Sequence, residues 1–124
     1  MRFSKYHGLG NDYLVLEEGV LSPARVVSIC DRHRGLGADG ILESMRSTTA
    51  DVGLRIWNPD GTVAEKSGNG LRIFARWMVE YRDGPEDLSI ELPCGIVRCQ
   101  VDGDVVTVQM GTASFEPAVI PATE

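Results

Sequence analysis

The sequence predicts an α+β roll, a curled sheet of mixed or antiparallel strands wrapped around one central helix. Three observations predict it. Short apolar runs bounded by glycine, proline and Asp-Gly turns recur along the chain as roughly seven strands. The segment from Gly70 to Tyr81 is apolar on nearly every side, so a helix there has to be enclosed. One further helix, opened by Ser22-Pro23, is left for the periphery, and 124 residues suffice for a single core.

Taken in order, residues 2–6 and 12–17 read as strands separated by a HGLGN loop in which Gly8 and Gly10 supply special backbone angles. Ser22 is a sound N-cap with Pro23 in the first turn. Val26, Val27, Ile29 and Cys30 carry that helix to about His33, and Gly35 stops it. Residues 39–46 form a strand after RGLGADG, residues 53–58 alternate like another, and Pro59-Asp60-Gly61 makes a turn. In GLRIFARWMVEY only Arg72, Arg76 and Glu80 are polar, at i, i+4 and i+8. They form one narrow stripe on an otherwise apolar helix, the reverse of a surface helix. Strands follow at 87–92, 95–101 and 104–110, the last two joined by an Asp102-Gly103 hairpin turn. The tail from Gly111 has no periodicity. Residues 1–112 are therefore expected to form the lobe, and residues 113–124 a linker toward a second one.

Composition excludes several function classes. A net charge of -6 is wrong for nucleic acid, which needs Lys and Arg to displace counterions from phosphate. No apolar stretch approaches the ~20 residues of a membrane helix, and MRFSKYHGLGND lacks the apolar region of a secretory signal. Three cysteines, Cys30, Cys94 and Cys99, leave at least one unpaired, which suits a reducing, cytoplasmic compartment. Cys30 reads as a core hydrophobe, and Cys94 and Cys99, five apart on a strand, point to opposite faces. Two histidines and no Cys/His cluster leave no metal site to expect.

Three glycine-bearing loops are where chemistry is expected: HGLGND, NPDG and SGNG, the last directly ahead of the buried helix. A helix N-terminus offers unpaired N–H groups and partial positive charge, so it holds a carboxylate. Asn11, Asn58 and Asn69 are neutral donors and acceptors for a zwitterionic amino acid, with Gly68 and Gly70 permitting close approach. The same residues also have a purely structural reading, Ser67 as an N-cap and the glycines as turns. His7 reads equally as a cleft residue or a packed loop histidine. His33 carries no expected catalysis, and Arg72 reads first as part of a salt bridge.

In order and spacing, FSKYHGLGNDYLVLE, DRHRGLGADGIL, RIWNPDGTVAEKSGNGLRIFARW and VQMGTASFEP resemble the N-terminal half of diaminopimelate epimerases. The resemblance covers nearly the whole chain and about half of such an enzyme. It implies a diaminopimelate-epimerase-like roll, the first of two similar lobes, with the active site in the cleft between them. It implies an isomerase that needs neither pyridoxal phosphate nor metal, a PLP-independent racemase converting LL- to meso-diaminopimelate in lysine and peptidoglycan biosynthesis. One cysteine from each half removes or returns the α-proton. Carried over, Asn11 and Asn58 match substrate-binding asparagines, and Gly68 and Asn69 match the residues whose amides grip the substrate carboxylate. Ser67 occupies the position of the first catalytic cysteine, and Lys66 stands where small or neutral residues are usual. The second cysteine and a Glu-Arg pair belong to the other half, so the expected partners are a small amino-acid substrate and a second lobe, on the same or another chain, or self-association.

Serine at that position matters because of acidity. A thiol ionises near about 8.5 and a helix N-terminus lowers it further. A serine hydroxyl is a weak base unless another group activates it, and neither Glu65 nor Lys66 is an evident activator. Three readings stay open: a substituted catalytic cysteine, a divergent member with single-thiol dehydratase or isomerase chemistry, and an inactive binding or assembly module.

Overall fold

The computed structural model describes residues 1–8, 10–65, 67–103 and 105–110. The chain runs β1 (Arg2–Gly8), β2 (Asn11–Glu18), α1 (Pro23–Cys30), β3 (Gly40–Met45), β4 (Val52–Trp57), β5 (Val63–Ala64), α2 (Gly68–Tyr81), β6 (Asp87–Leu92), β7 (Gly95–Asp102) and β8 (Val105–Met110). The strands form one sheet in the order β1-β2-β3-β4-β6-β7-β8, with β5 paired to β4 off this path. Two neighbouring pairs are parallel, β2–β3 and β4–β6. The others are antiparallel. Parallel neighbours need a crossover, and the two helices supply it, α1 between β2 and β3 and α2 between β4 and β6.

Helix α2 touches β1 and β2 at one end of the strand order and β7 and β8 at the other. A flat sheet cannot bring both ends to one helix, so the sheet curls around α2. Leu71, Ile73, Phe74, Ala75 and Trp77 are buried there, with Phe74 and Trp77 stacked at 5.8 Å between ring centroids. Each such large side chain contributes about 1.5–3 kcal/mol on leaving water. The α+β roll expected from the sequence is the fold observed.

A second, smaller core lies on the outer face, where Val26 and Cys30 of α1 meet Leu14, Leu16, Ile41 and Trp57. Strand β2 therefore divides its side chains, Tyr13 and Val15 to α2 and Leu14 and Leu16 to α1. Its unbroken run YLVL is the mark of a strand covered on both faces.

Four details differ from the sequence reading. Helix α2 starts at Gly68 rather than Gly70, because Ser67 caps it. Tyr81, its last residue, is 62% exposed and lies outside the wrapped portion. Helix α1 ends at Cys30 rather than near His33, because the Asp31 carboxylate accepts the amide N–H groups of His33 (2.8 Å) and Arg34 (3.2 Å) and turns the chain. The two-residue strand β5 was too short to register as a period. The expected boundary at 112 and the linker 113–124 lie outside the described residues.

Candidate active site

Register places the chemistry-bearing residues at one end of the sheet. Gly8 closing β1 opposes Asn11 opening β2, Tyr13 pairs with Gly40 opening β3, and Ile41 pairs with Trp57 closing β4. Asn11, Asp39, Asn58 and the N-terminus of α2 therefore share this end.

Ser67 is the N-cap of α2. Its backbone is extended (φ -156°), and its Oγ accepts the Gly70 N–H at 3.0 Å. That bond satisfies the third amide of the helix. The Gly68 and Asn69 amides belong to the first turn and have no partner within the helix, which gives this end its donors and its partial positive charge. A Cβ at Gly70 would stand 3.2 Å from both Leu42 Cδ2 and Ser67 Oγ, so a larger residue there would press on the capping side chain. The structural role and the proposed chemical role of Ser67 thus coexist on one side chain.

The Tyr13 hydroxyl lies 3.1 Å from Ser67 Oγ. Tyr13 is core-packed at 9% exposure, and its ring crosses Gly40, where a Cβ would come within 2.8 Å of Tyr13 Cε1 and of the Trp57 carbonyl oxygen. The sequence reading did not single out Tyr13, because a tyrosine in a strand of apolar residues looks like core. The visible signal was the glycine opening the neighbouring strand.

Asn11 and Asn69 are joined directly. Asn69 Nδ2 donates to Asn11 Oδ1 at 2.8 Å, and Asn11 Nδ2 donates to Asp39 Oδ2 at 3.3 Å. Asp39 also accepts the Asp12 amide N–H at 2.8 Å and pairs with Arg32 at 3.0 Å. Arg32 bridges onward to Asp12 at 3.2 Å, and His7 Nδ1 stands 2.5 Å from the other Asp12 oxygen. Asp39 is held below the usual carboxylate range first by the Asp12 amide, then by Asn11 and Arg32. Asp12 is held low first by His7 and then by Arg32. His7 is exposed at the rim of this network rather than packed.

Of the residues expected to bind substrate, Asn11, Gly68 and Asn69 come together with Ser67. Asn58 stands at the same end on the α2-facing side by strand alternation, but its Nδ2 donates to Thr62 Oγ1 at 2.9 Å within its own turn. Thr62 in turn donates to Asp60 at 2.6 Å. The arrangement offers helix amides for a carboxylate, an amide oxygen on Asn69 for an ammonium, and hydroxyls beside them. Cys94, in the hairpin between β6 and β7, reaches the Glu65 carbonyl oxygen at 3.5 Å, so that hairpin touches the segment leading to Ser67.

The chain is 47% identical to "Diaminopimelate epimerase 2" of Nostoc sp., which it matches over 98% of its own length and 45% of that protein's. It is 42% identical to a diaminopimelate epimerase of Caldanaerobacter subterraneus, over 98% of this chain and 47% of that one. It thus spans a little under half the length of these relatives. Among solved structures, a phenazine biosynthesis protein of the PhzF family from Bacillus anthracis superposes with a TM-score of 0.61 at 19% identity, over 86% of this chain and 37% of that one, a likeness of fold. The diaminopimelate epimerase family model matches residues 3–116, a stretch that contains every site residue named above, and the chain therefore belongs to the diaminopimelate epimerase family.

Proposed function

We propose that this chain is the N-terminal lobe of a cofactor-independent amino-acid epimerase that inverts the α-carbon of diaminopimelate or a related amino acid, with its cleft completed by a second lobe. The observation that carries this reading is the convergence at α2. Ser67, the two first-turn amides of Gly68 and Asn69, and the Asn11–Asn69 pair meet at one helix N-terminus. A zwitterion seated there sets its carboxylate on the amides and its ammonium beside the asparagine oxygens. Its α-carbon then faces Ser67. Asn58 joins if its side chain leaves Thr62 for substrate. The three free cysteines suit the cytoplasmic setting inferred from sequence.

Racemisation by two bases needs each to take and return a proton, and Ser67 is the weak member on this face. With a C-terminal lobe from a relative supplied, the serine protein is expected to exchange the substrate α-proton slowly, and Ser67→Cys to raise exchange by about 10²–10⁴-fold. Deuterium incorporation from heavy water, read by mass spectrometry alongside optical rotation, measures it. A serine form already at full speed refutes the two-thiol carry-over. Because Ser67 itself favours it, a second reading is a binding or assembly module, to which a Ser67→Cys protein that binds substrate and gains no exchange would point.

A further inference from the structure

We propose that Tyr13 is the proton partner of Ser67: the two hydroxyls act as a dyad, with Ser67 touching substrate and Tyr13 positioning and recharging it. The proposal rests on Ser67 facing the α-carbon, and it supplies the activator that the sequence alone did not reveal.

A hydroxyl carries one donor and two acceptor sites. The Gly70 N–H occupies one acceptor site of Ser67 Oγ at 3.0 Å, and the Tyr13 hydroxyl lies 3.1 Å away. A neutral Tyr13 that donates to Ser67 takes the second acceptor site and turns the serine proton outward. An ionised Tyr13 accepts the serine proton and leaves an Oγ lone pair outward. The two states of one phenol thus make Ser67 an acid or a base toward the same point. Phenols ionise near about 10, whereas alcohols are far weaker acids, so the phenol is the member of the pair that can change charge in water. The positive end of α2, a helix of 14 residues, favours negative charge at this spot.

Position is fixed as well as chemistry. Tyr13 sits in β2, a strand covered on both faces, and its ring lies across the bare backbone of Gly40. The hydroxyl therefore has little freedom to swing away from Ser67. The proton balance closes. In abstraction, the α-proton passes to Ser67 Oγ as the serine proton passes to the phenolate, leaving a carbanion, a serine and a phenol. In return, the phenol proton passes to Ser67 as the serine proton passes to carbon, leaving a phenolate that water reprotonates. A cysteine at position 67 would carry its own charge and need no such partner.

The titratable and charged groups about this end, among the described residues, are Lys5 and His7 on β1 with Tyr6 opposite Tyr13, Asp12 on β2, Arg32 and Asp39 ahead of β3, Glu65 ahead of α2, Arg72 in its second turn, and the Cys94 thiol on the Glu65 carbonyl. Arg32 is ion-paired to Asp12 and Asp39, and the His7 ring is hydrogen-bonded to Asp12. Between pH 7.5 and 10 carboxylates and guanidinium groups keep their charge, whereas thiols as a class ionise in this window, so the series is run in a Cys94→Ser background.

The test is α-deuterium exchange over that range, with the full chain and a relative's C-terminal lobe, for wild type, Tyr13→Phe, Ser67→Ala, Ser67→Cys and the Ser67→Cys, Tyr13→Phe double variant. Wild type is expected to exchange faster as pH rises, and Tyr13→Phe to lose that rise and fall about 10²-fold, to the level of Ser67→Ala. Substrate affinity by calorimetry stays unchanged in Tyr13→Phe, and in the Ser67→Cys background the tyrosine change has no effect on the rate. A wild-type rate equal to that of Ser67→Ala overturns the dyad, as does a Tyr13→Phe rate equal to wild type. So does an equal loss in the serine and cysteine backgrounds, which marks a structural tyrosine. If Tyr13→Phe does not fold, ultraviolet titration of tyrosinate in wild type against Ser67→Ala reads the same contact. One phenol is then expected to shift, and none shifting overturns the proposal. A Ser67→Cys protein that binds substrate yet never exchanges rejects the epimerase reading itself, a separate outcome.

Discussion

A carboxylate accepts hydrogen bonds and donates none, so Asp39 decides how two neighbouring amides point. Because Asp39 takes the Nδ2 group of Asn11, Asn11 presents its oxygen to Asn69, and Asn69 is left with its own oxygen turned outward. Replacing Asp39 by Asn removes that constraint and the negative charge that pairs with Arg32, while one oxygen can still accept the Asp12 amide. The expected result is a loss of about 1 kcal/mol in stability, the modest end for a half-exposed bond, and about tenfold weaker substrate binding with the second lobe present. Unchanged affinity by calorimetry would refute the amide-orientation argument. The pH dependence has a definite sign. Asp12 and Asp39 are both depressed in the folded chain, so their contribution is present above the ordinary carboxylate range near about 4 and is lost as pH falls through their lowered values. Scanning calorimetry should show the melting temperature declining in acid, and declining less steeply in Asp39→Asn. At this scale the sequence was half legible. Ser67, Asn11 and Asn69 declared themselves by polarity beside glycine. Asp39, Arg32 and Tyr13 did not, because their roles come from partners 7 to 54 residues away that only the fold brings together.

Gly40 shows how an element's geometry serves the site. It opens β3 where the Tyr13 ring crosses, and a Cβ there would lie 2.8 Å from the Trp57 carbonyl oxygen, a backbone atom fixed by the next strand. Gly40→Ala therefore has to push β2, β3 and β4 apart or displace the tyrosine. The expected cost is about 1–3 kcal/mol, as for overpacking a core, together with loss of the Tyr13–Ser67 contact. Thermal melting reads the first, and the high-pH rise in exchange reads the second. A variant as stable as wild type would show the strands to be more yielding than this packing implies. The elements themselves were legible where local period and turn chemistry fix them. The reversed stripe of α2 gave the enclosed helix, and Asp102-Gly103 gave the last hairpin. The parallel partnering of β2 with β3 and of β4 with β6 was not, since alternation along a strand carries no information about the direction of its neighbour.

At the largest scale, the described residues form one curled sheet with the candidate site at one end, and the chain spans a little under half the length of the relatives it matches. A cleft that grips a zwitterion from one side only is open to water, and electrostatic contacts of this kind strengthen when water is expelled. The chain is therefore expected to bind a second lobe over this end. Two exposed apolar residues lie at this end by register and chain order. Val63, 42% exposed on β5, pairs with Trp57, and Leu36, 57% exposed, lies in the loop leading to β3. Val63 keeps 42% of its surface exposed in a two-residue strand, so Val63→Asp should lower the melting temperature only slightly. A charge placed in a covered apolar contact costs several kcal/mol if it stays unpaired, so the same change should weaken association with a relative's C-terminal lobe by at least about tenfold. Light scattering at micromolar concentration, with and without that lobe, measures both association and any self-pairing of the chain alone. A stable monomer that ignores the added lobe would leave the binding-module reading in place. A complex indifferent to Val63→Asp would move the contact to another face and leave the Ser67 end open.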